Sequence, residues 1–212
     1  MLAPATFTRI ITLNSTDLNE GIVEDISACF KEGKVVVFPT ETVYGLGALY
    51  SNKEAIERIY RIKKRSDKKP LTLLIAKKEM ILDFVDDVSE EVYALMDAFW
   101  PGPLTLILRN KNKEAFGFRI PAHDIALRLL ESVKEPIATT SANFSGEKDI
   151  TNGNEVIDTL QGKVDIIVDS GESPLKIAST VVEIRGERGY SILRAGTISE
   201  KQIKEYLGSW EK

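Results

Sequence analysis

The run Val35-Val36-Val37-Phe38 constrains this chain most. Its β-branched residues and its length suit a buried strand. Pro39 has no amide hydrogen to give a ladder, so the strand stops there. Thr40, Glu41, Thr42 and Tyr44 then crowd a segment closed by Gly45 and Gly47. Glycine there permits a positive φ or close approach of the backbone to a ligand. A polar strand-to-helix turn with a tyrosine packed beneath it would need fewer such side chains. The segment reads as the floor of a binding site.

Around that strand, strand-like and helix-like stretches interleave. Thr8–Leu13 reads as a strand, and Asn14, Ser15, Thr16 and Asp17 offer N-caps for a helix to about Lys31, stopped by Gly33. Ser51 and Glu54 form a capping-box pattern before a helix with Ile56, Ile59 and Tyr60 on one face. Helical periodicity puts Lys63 on that same inward stripe, where a charge is costly unless it meets a partner or a cavity. Strands are expected at Leu71–Ala76, Leu104–Leu108, Phe116–Ile120, Ile137–Thr140, Val164–Asp169, Thr180–Ile184 and Ile192–Arg194. Helices are expected at Lys78–Phe84, Ser89–Phe99, from a His123-Asp124 cap to Ser132, Asn154–Leu160 and Ser199–Leu207. No repeat or linker divides the chain. It is expected to be a single α/β domain over 1–212, a twisted mixed parallel and antiparallel sheet with helices on its faces.

Composition narrows the function. With 212 residues, the chain can bury a large core without a disulfide or metal staple. Its net charge of −4 opposes a protein whose main task is coating nucleic acid. Cys29 is the only cysteine, placed on an apolar helix face as a buried inert thiol, and His123 is the only histidine. Zinc held by thiolates and imidazoles, and Cys–His or Ser–His covalent catalysis, are therefore disfavoured, and no protein metal ligand is assigned. Neither a secretory signal nor a membrane-length apolar run occurs, so a cytoplasmic protein without a membrane partner is expected.

Three segments concentrate hydroxyls, amides and cations: Pro39–Gly47, Lys63–Pro70 and Thr139–Gly146. Arg119 and Arg194 sit in or at the end of apolar strands, with Lys176, Ser179 and Thr180 nearby in sequence. Embedded arginines pair with internal carboxylates or with an anionic ligand, and the hydroxyl loops favour a ligand such as a nucleotide. There is no Walker loop, dinucleotide fingerprint or zincin helix. A site of cations and hydroxyls suits transfer at phosphorus, where positioning and charge stabilisation supply most of the rate.

In order, the chain carries Pro39-Thr40-Glu41-Thr42-Val43-Tyr44-Gly45-Leu46-Gly47, Lys63-Lys64-Arg65, Phe99-Trp100-Pro101-Gly102-Pro103-Leu104-Thr105 and Phe118-Arg119-Ile120-Pro121. Ser141-Ala142-Asn143-Phe144-Ser145-Gly146, Ser179-Thr180-Val181-Val182 and Leu193-Arg194-Ala195-Gly196 follow. This succession resembles the threonylcarbamoyl-AMP synthase family over about Ile22 to Leu207, in its short form without an extra C-terminal domain. The resemblance implies one α/β domain with a concave, positively lined cleft. It also implies a nucleotidyltransferase that makes L-threonylcarbamoyl-adenylate and pyrophosphate from L-threonine, bicarbonate or CO2, and ATP with Mg²⁺. The product would serve N6-threonylcarbamoyladenosine formation at tRNA position 37, with transient RNA contact and hand-over to a threonylcarbamoyl-transferase complex.

Carried onto this chain, the resemblance makes Lys63 and Arg65 catalytic and phosphate-holding. Thr40, Thr42, Tyr44, Arg119 and Ser179 would bind threonine, and Thr139, Ser141, Asn143 and Arg194 the nucleotide. Glu41 is ranked as a brace of the turn. Many long members carry a histidine in the strand after the Lys-x-Arg motif; Pro70-Leu71-Thr72-Leu73-Leu74-Ile75 has none, so that contact to threonine is unavailable. Two other readings compete: an RNA-binding module, cued by the cations of Arg58–Lys69, and a paralogue acting on a different amino acid or carbamoyl donor.

Overall fold

In the computed structural model, which describes residues 7–13, 17–64, 70–186, 189–208 and 210, the Val36–Phe38 strand (β2) turns back as a second strand, Gly45–Leu49 (β3). The polar segment is thus a hairpin turn between antiparallel strands, with Phe38 opposite Gly45 and Val36 opposite Gly47. That corrects the expectation of a strand-to-helix loop. Neither glycine takes a positive φ. Both are small because neighbouring side chains crowd them: a Cβ on Gly47 would stand 2.7 Å from Ile137 Cγ2 and 3.1 Å from Phe38 Cε1, and one on Gly45 2.9 Å from Thr139 Cγ2.

Arg9–Thr12 (β1) opens the sheet and Glu20–Lys31 (α1) follows; after the hairpin come Lys53–Lys63 (α2) and Thr72–Leu74 (β4). Lys78–Asp83, expected as a helical segment, is a 3-10 helix. Then come Glu90–Phe99 (α3), Leu104–Arg109 (β5), Ala115–Arg119 (β6), Asp124–Val133 (α4) and Ile137–Ser141 (β7). Gly153–Leu160 (α5), Ile166–Asp169 (β8), Thr180–Arg185 (β9), Gly189–Arg194 (β10) and Glu200–Leu207 (α6) complete it. The ten strands form one mixed sheet in the order β1-β8-β2-β3-β7-β4-β6-β5-β9-β10.

Both faces are covered. On one, Val36, Phe38, Leu49, Leu74 and Ile137 pack beneath α1 and α4 through Phe30, Ile26 and Leu129. On the other, Val35, Val37, Leu46 and Ala48 meet α2 and α5. Leu73, Leu106, Phe118 and Val182 meet α3 and α6 on that second face. Residues one apart along a strand thus enter different cores, as the two-residue period of a strand requires.

Several local expectations need correction. Asn52, not Ser51, caps α2 by accepting from Ala55 N at 2.9 Å; Ser51 N donates instead to Glu135 Oε1. Asn19 caps α1, one turn beyond the expected cluster, of which Asn14–Thr16 lie outside the described residues. Cys29 is half-buried rather than buried, because it lies on the flank of the apolar face of α1. His123 occupies the N-cap position of α4, yet its side chain makes no capping bond.

Gly47→Ala is expected to destabilise the protein by about 1–3 kcal/mol through overpacking. Gly21→Ala, whose Cβ would meet only Asn19 Oδ1 at 3.4 Å, should change stability by less than about 0.5 kcal/mol. Urea midpoints at constant slope measure both. Burial pushes the His123 imidazole below its ordinary value of 6.5, and the opposing pull of Glu41 and Asp124 is smaller. Unfolding then takes up a proton below pH 6.5, so stability is full above that value and falls as pH drops. The slope cannot exceed about 1.4 kcal/mol per pH unit. His123→Gln removes the only histidine, and should flatten unfolding free energy between about pH 5 and 6.5.

Candidate active site

On the face beneath α1 and α4, the cover ends where the strands turn polar. Leu74 lies under the helices and also borders a pocket, and Thr72, two residues earlier on the same face, gives that pocket a hydroxyl wall. Thr139 stands opposite Thr72 in the antiparallel β4–β7 ladder, and Gly117 opposite it on β6. The pocket holds about 160 Å³, below the roughly 300–1,000 Å³ usual for drug-sized ligands, so it suits a small polar molecule. Thr40, Thr42, Tyr44, Thr105, Arg119, Ser179 and Arg194 complete the polar part of its wall.

The hairpin turn is built by Thr40. Its Oγ1 donates to Val43 O at 2.7 Å, lies 2.9 Å from Thr42 Oγ1, and accepts from Thr42 N at 3.3 Å. A hydroxyl closing its own turn in this way is common for threonine. Tyr44 is fully buried, and its hydroxyl donates to Gly171 O at 2.7 Å and accepts from Ser170 N at 3.1 Å. That hydroxyl therefore ties β3 to the turn after β8, and burial raises its pKa.

Ser179 joins two walls. Its Oγ is 2.7 Å from Thr105 Oγ1 and accepts from Arg194 Nη2 at 2.9 Å, while Arg194 Nε donates to Ser179 O at 2.9 Å. Arg119, 7% exposed, donates from Nε to Gly102 O at 3.1 Å and makes an ion pair with Glu41 at 2.7 Å. Arg119 and Arg194 both face this pocket, and among the described residues no carboxylate lines it. Such a wall attracts an anion or a carboxylate.

Lys63 is buried, as its place on the inward stripe of α2 required. Its ammonium donates to Ser141 O and to Asn143 Oδ1 at 3.3 Å, while Ser145 N donates to Lys63 O at 3.3 Å. Ser141 Oγ also donates to Asn143 Oδ1, and Asn143 Nδ2 to Glu147 O at 2.6 Å. Lys63 thus pins the loop after β7, and of that group Ser141 lines the pocket. Arg65 lies outside the described residues.

The structure therefore gathers Thr40, Thr42, Tyr44, Arg119, Thr139, Ser141, Ser179 and Arg194 around one space, with Lys63 and Asn143 behind Ser141. Thr72 was missed as a site residue, and Thr105 and Thr140 were named only as parts of a motif or a strand. Threonine is at home in a strand, so a hydroxyl within Leu71–Leu74 or Leu104–Leu108 carries little signal of its own. Their common position on one face is set by the ladder. Of the cations from Arg58 to Lys69, Arg58 is ion-paired with Asp165 at 2.5 Å, and 65–69 lie outside the described residues.

Comparison with known proteins bears on the family. A family model named for Sua5, YciO and YrdC, with the description "Telomere recombination", matches residues 28–196. The threonylcarbamoyl-AMP synthase of Pyrococcus abyssi is 38% identical over 187 residues, covering 84% of this chain and 55% of that protein. Its counterpart in Bacillus subtilis is 36% identical over 200 residues, covering 90% of this chain and 58% of that protein. The chain thus spans little more than half the length of these relatives. The crystal structure of P. abyssi Sua5 complexed with L-threonine matches with a TM-score of 0.87 and 33% identity, over 97% of this chain and 62% of that one. A mixed sheet of this order, a hydroxyl-and-arginine pocket on it, and a family match spanning that pocket lead to one assignment: the chain belongs to the Sua5/YciO/YrdC family.

Proposed function

We propose that this protein is an L-threonylcarbamoyl-adenylate synthase, a cytoplasmic nucleotidyltransferase using L-threonine, bicarbonate or CO2, and ATP. The observation that carries this reading is the small pocket walled by hydroxyls, Arg119 and Arg194, in a chain 33% identical to a relative solved with L-threonine. Its volume suits one amino acid. Arg119 and Ser179 would hold the threonine, with Thr40 and Thr42 at the turn. Ser141, Thr139, Asn143 and Arg194 would face the nucleotide, and Lys63 and Arg65 its phosphates.

In that arrangement the threonine amine loses a proton and attacks CO2, forming a carbamate. The neighbouring cations favour the neutral, nucleophilic amine. A carbamate oxygen then attacks the α-phosphorus, the bond to the β-phosphate oxygen breaks, and pyrophosphate leaves. Fixed cations aimed at the developing charge lower that barrier. Magnesium would enter as part of the substrate, the ATP complex: among the described residues the pocket offers hydroxyl oxygens and no carboxylate, a donor set suited to an ion carried by phosphates. The adenylate would then pass to the enzyme that modifies position 37 of tRNA, with transient RNA contact at hand-over.

Pyrophosphate release from ATP is expected only when threonine and bicarbonate are both present; release indifferent to threonine refutes the reading. Lys63→Ala should abolish that release. Because Lys63 also holds Ser141 O and Asn143 Oδ1, the same change should lower stability by about 1–3 kcal/mol, measured by urea unfolding.

A further inference from the structure

Glu41 lies within the most distinctive polar segment of the chain, but it does not line the pocket. Its side chain is 6% exposed and that of Arg119 8%, so the two charges meet almost out of water. The Oε2–Nη2 contact is 2.7 Å, yet its alignment falls short of a hydrogen bond, and both Glu41 oxygens are enclosed without another hydrogen-bond partner among the described residues. Arg119 Nε is spent on Gly102 O. One edge of the guanidinium is thus fixed by a carbonyl and a carboxylate, and the residue presents itself to the pocket from that fixed position.

The backbone of Glu41 serves the opposite wall. Glu41 O accepts from Leu175 N at 2.8 Å, which anchors the segment leading to Ala178 and Ser179, both of which line the pocket. Removing the Glu41 charge would leave Arg119 as a buried, uncompensated cation, which is strongly unfavourable. The guanidinium would then turn toward water or toward other acceptors. A displacement of about 1 Å at a positioning group costs on the order of a hundredfold in rate or binding.

The geometry points to Glu41 as a positioning residue: its carboxylate orients Arg119 toward the carboxylate of the amino-acid substrate and so sets the preference for a free carboxylate at that position. This rests on the proposed threonine site. The competing role is a brace of the hairpin that stabilises the turn and leaves recognition untouched.

The two roles separate in binding rather than in melting. Affinities for L-threonine and for L-threoninol, which has a hydroxymethyl group in place of the carboxylate, are measured by calorimetry on the wild-type chain, Glu41→Gln and Glu41→Asp. Wild type should prefer threonine; Glu41→Gln should lose roughly tenfold or more of that preference, with threoninol and ATP affinities within about twofold of wild type. Glu41→Asp keeps the charge and withdraws it by one methylene. It should lose part of the preference, and it provides the measurement if Glu41→Gln does not fold. Undiminished preference in either folded variant overturns the positioning role while leaving the threonine reading intact. A wild-type chain that binds neither amino acid nor alcohol overturns that reading, and this one with it.

Discussion

Successive side chains of a strand point to opposite faces, and in this protein that two-residue period decides where a ligand can sit. Phe38, Leu49, Leu74 and Ile137 share a face and disappear beneath α1 and α4. Thr72, Thr139 and Arg119 continue the same face, and there the wall of a pocket begins. A one-residue slip of β4 would put Leu73 in the pocket and Thr72 in the apolar core against α3, so the core fixes the site's register. Gly45 and Gly47 belong to this arrangement as well. They leave room for the Phe38 ring, and the hairpin can then bring Thr40 and Thr42 to the pocket's edge.

Two cations are buried near the pocket, each by a different solution. Lys63 donates to two neutral acceptors, Ser141 O and Asn143 Oδ1, which help solvate its ammonium. Arg119 meets a carboxylate, which offsets the charge and fixes the plane of the fork. A single carboxylate ligand calls for orientation, which a held guanidinium fork supplies.

Much of this was legible in the sequence, and the failures have physical causes. The Val36–Phe38 strand, the break at Pro39, the inward place of Lys63 and the embedded arginines follow from short-range rules that the fold respects. The strand Gly45–Leu49 was not visible, because two glycines in five residues argue for a turn and their real cause, the overlying Phe38, Ile137 and Thr139, comes from other strands. Asn52 rather than Ser51 caps α2, and the Ser51 N–H that a capping box would turn to Glu54 goes to Glu135, more than 80 residues away. Glu41 was read as a brace for want of a partner in sequence, and its partner Arg119 lies on β6. Long-range pairing is where local reading stopped.

The hydroxyls of the pocket are also bonded to one another. Thr40 Oγ1 lies 2.9 Å from Thr42 Oγ1, which is the donor there because the Thr40 hydrogen goes to Val43 O, and Thr105 Oγ1 lies 2.7 Å from Ser179 Oγ, where either oxygen can donate. A hydroxyl has one hydrogen and two lone pairs, so each such pair retains capacity after its internal bond is made. An incoming ligand oxygen or ammonium can therefore be met by rotating a hydrogen, with no movement of heavy atoms. The internal bonds hold the oxygens in place beforehand, which reduces the ordering cost of binding. Arginine supplies the charge and the hydroxyl pairs the adaptable polarity, and a site walled this way can hold a carboxylate and an amine side by side.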